Sequence, residues 1–146
     1  MRFMILMIPS VYQKPTDPNF MPPADMVEQM MKYNEELAKA GVLLALDGLH
    51  PPEKGSRISF AGGAPTVKDG PFTDATGVLG GYWMIRVKSK TEAVEWAKRI
   101  PALEGDLIEV RQVQEMSDFP TEIQDLIPVD LQKLGETQAD GARSDE

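Results

Sequence analysis

His50 is the single histidine among 146 residues, and histidine is the side chain whose ordinary pKa places proton exchange near neutrality. General acid or base work at pH 7 would fall to it first. Asp47 precedes it by three residues, and Asp69 could reach it through space. Either carboxylate could fix one imidazole tautomer and stabilise the imidazolium. The stretch "LDGLHPP" also reads as a plain turn, with Asp47 capping backbone amides and His50 exposed ahead of Pro51 and Pro52. The same ambiguity attaches to Asp69-Gly70-Pro71-Phe72. As a turn it is self-sufficient: Asp accepts local amide hydrogen bonds, Gly permits a positive φ, Pro fixes the next φ, and Phe72 plugs the loop onto the core. As a site, its Asp69 carboxylate would point into a pocket to bind substrate or orient His50.

A second group of candidates lies on strands. In "LIEVRQV" the alternation of a strand puts Glu109 and Arg111 on one face with Leu107 and Val113. Two opposite charges there form either an edge ion pair in solvent or a lining for a polar cavity. In the second case Arg111 would clamp a carboxylate or phosphate. Tyr82 and Trp83 alternate faces, so one of them should line whatever the sheet encloses. Met26, Met30 and Met31 sit at helical spacing and read as core. There is no cysteine, which excludes thiolate zinc sites, disulfides and a cysteine nucleophile. The sequence has no phosphate-binding glycine loop, serine elbow or metal constellation. No cofactor is expected.

The elements that must carry these groups follow from periodicity. Residues 3–8, 42–46 and 79–87 are apolar on both alternating faces, and 107–113 closes the series of strands. Four prolines in "SVYQKPTDPNFMPPAD" exclude regular structure. Asp25 with Glu28 has the spacing of a capping box, opening a helix with Val27, Met30, Met31, Leu37 and Ala38 as its stripe and Gly41 as its stop. Ser89 with Glu92 opens a second helix, its stripe being Ala93, Val94, Trp96, Ala97 and Ile100 and its stop Pro101. "RISFAGGAPTVKDG" is a hairpin turning at Gly62-Gly63, and Gly80-Gly81 signals a bulge or a close backbone approach. The order strand, helix, strand, hairpin, strand, helix, strand predicts α+β architecture: a ferredoxin-like sandwich with an inserted β-hairpin and an antiparallel sheet. Strands apolar on both faces, with helices on one side only, predict that the open face meets a second copy. A homodimer with its pocket between or beneath the sheets follows.

The net charge of −8 is uneven: residues 115–146 carry nine acids and two bases, and residues 1–114 fourteen acids and thirteen bases. The predicted division is a domain over 1–119 and an acidic tail over 120–146. The tail has a short amphipathic piece (Ile123, Leu126, Ile127, Leu131, Leu134) and is disordered beyond about Gly135. No basic patch suits nucleic acid. The apolar run from Phe3 to Ile8 is too short for a signal peptide, and no run suits a membrane span. A cytoplasmic protein is expected.

"GVLLALDGLHPP", "VKDGPFTDATGVLGGYWMI", "AVEWAKRIPAL" and "IEVRQV" together resemble the YCII-related family, in the branch named for its Asp-Gly-Pro-Phe motif, over Phe3 to about Phe119. The resemblance implies a dimeric α+β barrel. It also implies a largely uncharacterised group, some members of which are encoded beside extracytoplasmic-function sigma factors. Better-understood members are similar to small enzymes with a His-Asp pair on and near the first helix. Here Met30, Met31 and Lys39 stand in those places, so that pair does not transfer. The expectation is a dimer binding a small, carboxylate-like ligand in a pocket bounded by His50, Asp69, Tyr82 and Arg111, with Asp47, Phe72 and Glu109 nearby. Any catalysis would be cofactor-free isomerisation or elimination with His50 as base. The competing expectation is a non-catalytic regulatory dimer whose acidic tail docks a protein partner such as an extracytoplasmic-function sigma factor.

Overall fold

The computed structural model describes residues 1–72 and 77–140, with side chains through residue 134. Among the described residues, six strands form two sheets: β1 (Arg2–Ile8), β2 (Leu43–Gly48), β5 (Gly81–Arg86) and β6 (Leu107–Gln112) in the order β2-β5-β1-β6, and β3 (Ser56–Ala61) with β4 (Ala64–Asp69) alone. All pairings are antiparallel. Helices α1 (Ala24–Lys39) and α2 (Lys90–Ala97) complete the expected ferredoxin-like sandwich with an inserted hairpin.

Register decides which side chains meet the helices. Phe3 lies opposite Ile85 and Ile5 opposite both Trp83 and Val110, which puts these residues on one face with Tyr33 and Leu37 of α1 and Ala93 and Ala97 of α2 in a single core. Phe3, Ile5, Leu37 and Ile85 are at most 1% exposed, and each such burial contributes about 1.5–3 kcal/mol. The Trp83 indole donates to Asn34 Oδ1 at 2.8 Å, and its ring meets Tyr33 edge-on at 5.8 Å. The Tyr33 hydroxyl donates to the Trp96 carbonyl at 2.9 Å, tying α1 to α2 across the core.

The two helix starts differ in how they match expectation. Ser89 caps α2 as predicted, its Oγ accepting from the Glu92 amide at 3.1 Å, an arrangement that contributes about 1 kcal/mol. Asp25 does not cap α1. Pro23 holds the extended cap position, its carbonyl accepting from the Val27 amide at 3.1 Å, so that Asp25 falls within the first turn. The helix is also rotated relative to the expected stripe. Val27, Met31 and Ala38 are exposed, and Tyr33 is buried with Leu37 while Met30 packs against the core. The hairpin turns at Gly62-Gly63 with φ of 68° and 83°, the conformation such two-residue turns require. The bulge lies in β2, between Leu43 and Ala45. Gly80-Gly81 is instead a close approach.

The domain ahead of the tail is pinned at its end: Arg2 grips both carboxylate oxygens of Glu115 at 2.8 and 2.9 Å, which holds the Glu115 carboxyl below its usual range. Beyond it come α3 (Thr121–Gln124) and α4 (Val129–Asp140). Helix α4 runs through Gly135; one interior glycine costs only about 1 kcal/mol. Residues 141–146 lie outside the described residues. Ile123, Leu126, Leu131 and Leu134 are exposed. No described helix is long and apolar enough to cross a membrane.

Burial, opposed by Arg99 and aided by Glu36, pushes the Tyr33 phenol up to about 12. Folding therefore strengthens its hold on the proton. The resulting stabilisation is intact below pH 10, the ordinary tyrosine value, and is lost as pH rises toward about 12. Melting curves across that window should fall more steeply for the wild type than for Tyr33→Phe, which has no phenol to ionise.

Candidate functional site

The Asp-Gly-Pro-Phe stretch is where the inserted hairpin returns to the body. Ser56 opens β3 and lies opposite Asp69 at the end of β4. Its hydroxyl donates to Asp69 Oδ1 at 2.6 Å. The next amide, of Gly70, donates to the Gly55 carbonyl at 2.9 Å. Gly70 has no positive φ, contrary to the turn reading. What requires glycine is proximity: a Cβ there would lie 1.8 Å from the Pro52 carbonyl oxygen. The Gly70-Pro71 peptide is cis.

Phe72 is the expected plug. It is buried in a small second core with Tyr12 and Val78, against which Phe20 packs, and the Arg57 guanidinium lies over its ring at 4.3 Å. Around this plug is a cavity of about 500 Å³, walled by His50, Pro52, Lys54, Arg57, Phe72 and Val78 among others. That volume suits a small organic molecule. The described lining holds one histidine, one lysine and one arginine, with no Asp or Glu. Glu53 is adjacent in sequence but outside the lining, its Oε1 accepting from the Thr16 amide at 2.5 Å. Cations gathered on one cavity wall, in a chain of net charge −8, favour an anion.

Of the residues singled out from sequence, His50 and Phe72 meet at this cavity. His50 is exposed and hydrogen-bonds to no described residue, so neither expected His-Asp contact is made as a hydrogen bond. Asp69 is engaged by Ser56, and Asp47 Oδ2 accepts from the Tyr82 hydroxyl at 2.6 Å. That bond raises the Tyr82 phenol above its ordinary value.

Asp47, Tyr82, Glu109 and Arg111 gather elsewhere, on the sheet face opposite α1 and α2. Leu6 lies between Tyr82 and Glu109, Met4 between Met84 and Arg111, and Asp47 faces Tyr82. Charged residues on the outer strands thus flank a half-buried apolar centre of Met4, Leu6 and Met84. Asp47 is three residues from His50, so this face and the cavity share one end of the sheet. Trp83 takes the opposite, helix-covered face.

Sequence reasoning missed Lys54 and Arg57. Their available signal was two cations flanking Gly55-Ser56 just after the only histidine. Among the described residues, no group of three or more His, Asp or Glu could hold a metal ion.

The family model of the YCII-related domain matches residues 1–117. No curated protein matches the chain.

Because the Pro52 carbonyl leaves no room for a β-carbon, Gly70→Ala must displace the hairpin base or the turn at Pro52–Lys54. A loss of about 1–3 kcal/mol is expected, as for other overpacked sites, read as a lower urea midpoint. Gly77→Ala is the control, since a Cβ there meets nothing within 4 Å among the described residues.

Proposed function

We propose that this chain, which belongs to the YCII-related family, binds a small organic carboxylate in the cavity walled by His50, Lys54, Arg57 and Phe72. The observation that carries the reading is the described lining: three side chains able to bear positive charge beside an aromatic wall. Arg57 and Lys54 hold the anionic end, Arg57 by a planar fork matched to a carboxylate. The apolar walls take the remainder. His50, the imidazole of the cavity, is the proton acceptor for cofactor-free isomerisation or elimination of the bound acid. We read the chain as a member of the Asp-Gly-Pro-Phe branch, with that motif as the cavity's structural hinge. The half-buried Met4, Leu6 and Met84 on the uncovered sheet face support a homodimer formed sheet to sheet. In that dimer Asp47, Tyr82, Glu109 and Arg111 face the space between subunits. The exposed apolar side chains of the acidic tail support a second, compatible role, docking of a basic protein partner.

A thermal-shift screen of small carboxylates against amines of matching shape tests the ligand class. Carboxylates should raise the melting temperature and amines should not. Arg57→Gln and Lys54→Gln should each weaken carboxylate binding roughly 10- to 100-fold, the effect of removing one charge-assisted hydrogen bond, and His50→Ala should reduce it. Equal stabilisation by both ligand classes, or carboxylate affinity unchanged in all three variants, would remove the cavity from the account.

A further inference from the structure

The β3–β4 ribbon has one face that the described residues of its own chain leave bare. It is a separate two-stranded sheet, and such a ribbon is marginally stable at best in water unless something packs on it. Its register places Ile58 opposite Val67 and Phe60 opposite Pro65 on one face. These are among the most exposed apolar side chains described: Ile58 57%, Phe60 81% and Val67 64%. The other face carries Arg57 opposite Lys68. Arg57 turns that face to the body of its own subunit, lying over Phe72. The apolar face therefore looks away from the chain that made it.

We propose that this ribbon is an arm that lays its Ile58, Phe60 and Val67 face on a second copy of the same chain. The proposal rests on the homodimer reading and adds a second contact to it. Area argues for that occupant. Four strands spaced about 4.8 Å apart and about 20 Å long offer roughly 400 Å² in projection, against about 800 Å² per partner in a stable interface. The sheet face alone falls short; each copy adds its own ribbon, roughly 200 Å² by the same measure, and a surface of like size on which the other copy's ribbon lies. A closed dimer uses every such patch twice. Charge does not oppose it: residues 56–69 hold Arg57, Lys68 and Asp69, a net of +1 in a chain of −8, so the arm is not repelled by another acidic copy. Since Ser56 and Arg57 of the ribbon also wall the cavity, a partner that holds the arm fixes one side of the ligand site.

Sedimentation of the full chain tests this, comparing wild type, the arm variant Ile58→Ser/Phe60→Ser and the sheet-face variant Leu6→Glu, with circular dichroism confirming folding. The arm side chains are exposed, so their replacement leaves both cores intact. The wild type should be dimeric and the arm variant should dissociate at least tenfold more readily. A benzophenone amino acid at position 60 should crosslink ¹⁴N to ¹⁵N chains in a mixed sample. A monomeric wild type overturns the homodimer reading and the arm together. A dimeric wild type, weakened by Leu6→Glu but not by the arm variant and crosslinked only within one chain, overturns the arm alone.

Discussion

The contact between the Gly70 backbone and the Pro52 carbonyl sets the geometry around which the candidate site is built. With only 1.8 Å between that oxygen and the place a β-carbon would occupy, the end of β4 and the turn at Pro52–Lys54 can close only on a glycine. Closure brings the Gly70 amide to Gly55, sets Ser56 against Asp69 and directs Phe72 into the small core with Tyr12 and Val78. The cavity is the space left beside that plug. Its cations arrive as a consequence, because Lys54 and Arg57 flank the very residues that the closure fixes.

The scaffold beneath is stabilised separately. The main core runs through Phe3, Ile5, Ile85 and Leu37, and its polar cross-links are internal: the Trp83 indole to Asn34, and the Tyr33 hydroxyl to the Trp96 carbonyl. The loop at the end of β2 and the hairpin can therefore vary without disturbing the sandwich. This separation of a rigid sheet from a variable rim is the usual arrangement for binding sites. It also explains why chemically suggestive residues fall into two groups. Those on strands, Asp47, Tyr82, Glu109 and Arg111, follow the sheet's alternation onto its uncovered face, whereas His50 and Phe72 follow the loops to the cavity.

Much of the fold was legible because its signals are local. Strands apolar on both faces, Ser89 with Glu92, and Gly62-Gly63 each specify their element within a few residues. Where the reading of α1 failed, a stronger neighbour had intervened: Pro23 took the cap position that Asp25 was expected to hold, and the helix turned Tyr33 rather than Met31 inward. The site was less legible, since its determinants are separated in sequence. Nothing near Gly70 announces a carbonyl eighteen residues earlier, so a packing glycine read as a turn glycine. Asp69 looked available to His50 until the hairpin register supplied Ser56 as its donor. Lys54 and Arg57 are ordinary surface charges in sequence, and become a pair only once the turn folds Phe72 between the ribbon and the body.

The central claim is that the ligand site is the cavity at the hairpin base and not the charged rim of the uncovered sheet face. Chemical-shift mapping during titration with benzoate separates the two directly. The account predicts saturable shifts concentrated at His50, Gly55, Ser56, Arg57 and Phe72, with Glu109 and Arg111 unmoved. Saturable shifts centred on Glu109 and Arg111, with the hairpin base silent, would contradict it.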